Sequence, residues 1–97
     1  MQNQVTVQHM IRVEGESSIK ACCDIEIDQQ VRLKDVKVVD LKRGLTVLMP
    51  RAQGKDGLWY DLVQILTSAL QAAITQAVLA AYEQARIRAK HRIESKT

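Results

Sequence analysis

The sequence predicts an α+β protein: an antiparallel five-stranded meander over residues 4–62, then one long C-terminal helix over about 67–92, assembled as a dimer. Three observations carry this. Strand-type patterning is confined to the segment before Thr67, and from there to the end neither Gly nor Pro interrupts an Ala-rich run with three- and four-residue apolar steps. Strands first and a helix last places the helix on one face of an antiparallel sheet. A chain of 97 residues with three aromatics and no Phe is too small to cover both faces and both edges of that sheet, so a second copy is expected to do it. The same length bounds the chain to a single domain over residues 1–97.

The first strand is read from Gln4 to Val13, where Val5, Val7, then Met10 or Ile11, and Val13 alternate in part. Glu14 to Ser18 is a polar break. The second strand has the clearest signal, with Ile19, Ala21, Cys23, Ile25 and Ile27 at every second position. Asp28-Gln29-Gln30 turns the chain into a third strand, Val31 to Asp40, in which the apolar positions Val31 and Leu33, then Val36 and Val38, change parity at Lys34-Asp35. A β-bulge there restores the register. Leu41 to Gly44 is a turn, and the almost wholly apolar Leu45–Met49 is a fourth strand, expected to be central, that Pro50 ends. Arg51 to Gly57 is the longest break, with an exposed tip, and Leu58 to Leu62 is the short fifth strand, with Trp59 expected in the core. Thr67 or Ser68 caps the helix, Gln71 follows Ser68 in capping-box spacing, and Leu70, Ile74, Ala77, Val78, Ala81, Tyr82 and Ala85 form the stripe that packs on the sheet. Beyond Ala85 the helix turns basic and runs past the body.

Composition narrows the function classes. The chain is 46% hydrophobic and 26% charged, ordinary globular usage. It has no apolar run of the roughly 18 residues a membrane span needs and no secretory signal, so a cytoplasmic protein without a membrane partner is expected. Adjacent Cys22 and Cys23, one of them in the apolar set of the second strand, suit packing rather than redox or zinc chemistry. No nucleophile with a base, no metal-ligand spacing and no phosphate-cradling Gly loop is present, and His9 and His91 lie far apart. No enzyme activity, cofactor, metal or small-molecule substrate is expected.

The net charge of +3 is unevenly spread: −2 over residues 1–40, +2 over 41–66 and +3 over 67–97. Basic residues gather at Lys42-Arg43, at Arg51 and Lys55, and in the series Arg86, Arg88, Lys90 and Arg92. Such groups suit phosphate contact, a partner's acidic surface, or solvation alone.

Val36-Lys37-Val38-Val39-Asp40, then Gly44-Leu45-Thr46-Val47-Leu48-Met49-Pro50, Asp56-Gly57 with Asp61-Leu62, and Ile74, Ala77-Val78-Leu79 and Tyr82 together resemble the stage V sporulation protein G (SpoVG) family of bacterial regulators, over about residues 5 to 84. The resemblance implies a small dimeric protein with an antiparallel sheet and C-terminal helix that binds DNA and RNA as a regulator of sporulation, division and surface functions, and it implies no enzyme. The family's loop after Met-Pro usually carries a Ser and two adjacent basic residues implicated in nucleic-acid contact; here it reads Arg51-Ala52-Gln53-Gly54-Lys55, so the resemblance leaves that role to Arg51 and Lys55 alone, neither at the position of the basic pair. The family's His-Pro stretch is replaced by Gln64-Ile65, and basic positions of the first helical turn by Gln71 and Ala73. The expected function is a homodimeric DNA- or RNA-binding regulator holding phosphates through Arg51, Lys55, Arg86, Arg88, Lys90 and Arg92, with Gln53 available to read bases; the alternative is a protein-interaction module.

Overall fold

The computed structural model describes the backbone of residues 3–94 and the side chains of residues 3–89. Four strands, β1 (Val5–Arg12), β2 (Ile19–Ile27), β3 (Val31–Leu41) and β4 (Gly44–Leu48), form an antiparallel meander in that spatial order. Two further strands, β5 (Arg51–Gln53) and β6 (Trp59–Asp61), form a separate two-stranded hairpin, and α1 (Ser68–Glu94) closes the chain.

Alternation decides the buried face. Ala21, Cys23 and Ile25 of β2 are buried as their every-second spacing requires, with Val36 and Val38 of β3 and Val47 of β4 beside them. The expected bulge in β3 is present: Ile25 pairs with Leu33 and Cys23 with Val36, so Lys34 and Asp35 stand opposite Asp24 alone. Asp35 takes a left-handed φ of 66° there, and Leu33 returns to the core side. A second bulge lies in β1, where His9 (φ 57°) and Met10 stand opposite Cys23 alone. It selects Met10 for the core together with Val5 and Val7 and leaves Ile11 65% exposed. The β3–β4 turn places its positive φ, 114°, on Gly44, where a side chain would be strained.

Helix α1 begins at a cap: Thr67 Oγ1 accepts the Leu70 amide at 3.2 Å. Because the cap is Thr67, the residue three positions on is Leu70, so no reciprocal capping box forms and Gln71 reaches Thr75 instead. Ile74, Val78 and Tyr82, one turn apart, are buried against the sheet, with Leu70 and Leu79 packed at their sides. The helix thus covers one face; the other carries the Arg32–Glu26 ion pair at 2.6 Å and half-buried Cys22.

Three expectations are corrected. The sheet has four strands, not five, and β4 is an edge strand rather than a central one. Pro50 has no N–H to extend the ladder, and β6 finds a local partner in β5, a strand of three residues that the periodicity did not reveal. Trp59 is accordingly not in the core; it is 57% exposed.

Candidate functional site

The β5–β6 hairpin carries the loop that the sequence singles out. Arg51 pairs with Asp61, Ala52 with Tyr60 and Gln53 with Trp59, so Arg51, Gln53, Trp59 and Asp61 share one face and Ala52 and Tyr60 the other. The hairpin packs against neither the sheet nor α1 among the described residues.

Its tip is internally braced. The Gly54 amide donates to Leu58 O at 2.8 Å, the Gly57 amide to Gly54 O at 3.0 Å, and Gln53 Nε2 to Gly57 O at 3.0 Å. Asp56 accepts the Leu58 amide at 3.0 Å through Oδ1 and the Tyr60 hydroxyl through Oδ2. The Tyr60 hydroxyl, then the Leu58 amide, hold the Asp56 carboxyl below its ordinary range, and the same bond raises the Tyr60 phenol. Gly54 is required by close approach, since a Cβ there would stand 2.8 Å from the Tyr60 ring.

This geometry gives the three loop candidates different situations. Arg51 Nε lies 3.1 Å from Asp61 Oδ1 across the hairpin. Gln53 spends its amide donor on the loop. Lys55 is exposed at the tip and makes no ion pair among the described residues. On the helix, Arg86 pairs with Glu83 at 3.2 Å and Arg88 is exposed, while Lys90 and Arg92 lie outside the residues whose side chains are described. Arg86 stands eighteen residues beyond Ser68, roughly 27 Å along the axis, and among the described residues no contact joins α1 to the hairpin. Asp61 was not among the sequence candidates: its pairing depends on the register of β5, which three residues do not advertise.

Elsewhere there is little chemistry to weigh. A groove of about 630 Å³ between β1 and α1 is lined by Asn3, Val5, Gln76 and alanines, without a titratable side chain. Among the described residues no three His, Cys, Asp or Glu side chains gather as a metal site, and no helix is long and apolar enough to cross a membrane.

Comparison with known proteins converges on one family. The SpoVG family model matches residues 3–84, which includes the hairpin and stops short of Arg86. The chain is 38% identical over 80 residues to a protein named for septation, SpoVG 1 of Listeria monocytogenes serotype 4b, covering 82% of this chain and 78% of the relative. It is 34% identical over 82 residues to the SpoVG septation protein of Oceanobacillus iheyensis, covering 84% and 85%, and 34% identical over 79 residues to that of Geobacillus thermodenitrificans, covering 81% and 82%.

Proposed function

The chain belongs to the SpoVG family, and from that premise we propose that it is a regulator of septation or sporulation that works as a homodimer bound to DNA or RNA. The observation that carries the reading is the hairpin: a braced loop, clear of the sheet and helix, that offers Lys55 at its tip and Arg51 on its flank within the matched residues. Backbone phosphates are the ligands such exposed cations suit, and Gln53, its amide nitrogen tied to Gly57 O, keeps its side-chain oxygen for a polar contact with a base. Arg86, Arg88, Lys90 and Arg92 lie beyond the matched segment and add nonspecific attraction at the far end of the helix. Self-association is supported by β4, an open sheet edge with no Pro and no charge between Gly44 and Leu48 and with Leu45 and Leu48 exposed.

A second reading, a protein-interaction module, is favoured by one observation: Arg51 and Lys55 are matched in number by Asp56 and Asp61, so the hairpin is electroneutral while Leu58, Trp59 and Leu62 are exposed on it and just after it. Charge removal separates the two. Fluorescence anisotropy of labelled duplex DNA and single-stranded RNA at two salt concentrations is expected to show binding that weakens with salt, and the Arg51→Ala/Lys55→Ala variant is expected to bind less tightly with a salt slope smaller by about two. Unaltered binding by that variant removes the hairpin from the site, and no binding at low salt leaves the interaction module.

A further inference from the structure

Trp59 has no structural task that accounts for it. Tyr60, on the opposite face of β6, lies against Gly54 and donates to Asp56, so it is committed to the loop. Trp59 takes no part in the side-chain hydrogen bonds that brace the tip, is not one of the buried residues of the core, and places a 57% exposed indole on the strand beside the braced loop. Such a ring is a large apolar plane kept in water, and its neighbours on the same face of the hairpin, Arg51, Gln53 and Asp61, are polar. Gln53 is directly across from it, and Arg51 is its diagonal neighbour on the same face, about 7–8 Å away by strand geometry.

The geometry points to the Arg51–Gln53–Trp59 face of the hairpin as a platform for unpaired nucleotides, with a base stacked on the Trp59 indole and the adjoining phosphate on Arg51. This rests on the nucleic-acid reading above and narrows its substrate class. A flat ring on a protruding ribbon reaches the π-face of a base only where the base is not already stacked between neighbours, which excludes the interior of a duplex. The diagonal spacing lets one nucleotide span both side chains. Arg51 is at present held by Asp61, but both partners are well exposed, 47% and 73%, so the pair is screened by water and a phosphate can displace the carboxylate at little cost. Asp61 then acts as an internal competitor that sets how readily Arg51 is released. The chemistry that selects a nucleotide strand over an apolar peptide is the guanidinium of Arg51 on the same face as the ring, together with exposed Lys55 at the tip of the loop.

Because Trp59 is the only tryptophan in the chain, its fluorescence reports this face alone. Titrations with oligothymidylate, oligouridylate and a mixed-sequence duplex of equal length, each labelled for anisotropy as well, form the test. The expected result is saturable quenching of Trp59 by one or both single strands, which also separates DNA from RNA as the source, and no quenching by the duplex. Trp59→Ala should weaken single-strand binding on the order of ten-fold, Trp59→Phe less, and Asp61→Asn should tighten it, all with unchanged far-UV circular dichroism. Binding seen by anisotropy with Trp59 unquenched, or unaltered in Trp59→Ala, overturns the platform and leaves the nucleic-acid reading standing. Absence of binding to every probe overturns both. A blue shift of Trp59 that grows with protein concentration alone assigns the face to a second copy and overturns the platform as well.

Discussion

Cys23 lies between Ala21 and Ile25 on the buried face of β2, 3% exposed, and burial, followed by the nearby charges of Asp24 and Cys22, pushes its thiol up to about 11. A thiolate is the nucleophile and the ligand, so a thiol held protonated through the neutral range does neither; its sulfur serves packing. The shift has a consequence for stability. A thiol pKa raised in the folded state means that the unfolded chain ionises first, so the stability this group contributes is complete below the ordinary thiol range and is lost as pH climbs from about 9 towards 11. Urea denaturation at pH 7, 9 and 10.5 should show that loss, up to about 2 kcal/mol, and Cys23→Ala should fall less over the same interval. Equal pH slopes for the two proteins would mean that the thiol ionises alike in both states. The hairpin offers the opposite case: Asp56 is solvated, and its lowered carboxyl reflects hydrogen bonds from Tyr60 and Leu58 rather than burial.

The bulge in β3 shows how a single inserted residue decides what a strand buries. Before it Leu33 faces the core, after it Val36 and Val38 do, and a regular strand would send one of these sets to the open face. Asp35 stands at the bulge with a φ of 66°, where Gly is at ease and Asp is tolerated. Asp35→Gly is therefore expected to be neutral or to stabilise by up to about 1 kcal/mol, offset by loss of the Lys37–Asp35 ion pair at 2.8 Å. Deleting Asp35 removes the bulge and should abolish cooperative unfolding; a deletion variant that melts like the parent would show that the strand slips without penalty. This bulge was legible in the sequence because the apolar positions of one long strand change parity once, at Lys34-Asp35. The β1 bulge was legible only as a choice between Met10 and Ile11. The three-residue β5 was not legible, since alternation needs more positions than that, and everything that depends on its register went with it: the separate hairpin, the Arg51–Asp61 pair and the exposure of Trp59. Arg51 and Lys55 could be named from the sequence because Gly and Pro mark a loop; which partner each would meet could not.

A chain of this length packed as one ordinary globule has a radius of gyration of about 12.5 Å, and this one has 14.8 Å, with extents of 48 × 39 × 24 Å. The excess comes from parts with nothing to rest on: a hairpin clear of the body and a 27-residue helix whose buried stripe, among the described side chains, ends at Tyr82. The sheet is unfinished in the same sense. Edge strands commonly carry Lys, Pro or a bulge that discourages pairing, and β4 has none of these; its bulge-free register with β3 runs from Gly44 to Leu48, and its outward backbone groups are offered along its whole length. Pairing of two β4 edges would join the two four-stranded sheets about a two-fold axis and carry a hairpin on each side, so that two weak phosphate contacts act as one bivalent site. Sedimentation velocity at micromolar concentration is expected to give a dimer, and Leu45→Lys with Leu48→Lys to shift it towards monomer by setting like charges across the new seam. The same variant should bind a long oligonucleotide at least ten-fold less tightly while a short one, able to reach a single hairpin, is bound as before. A lysine variant that still sediments as the parent dimer would move the interface away from β4, and a parent protein that stays monomeric as concentration rises would remove the homodimer from the function.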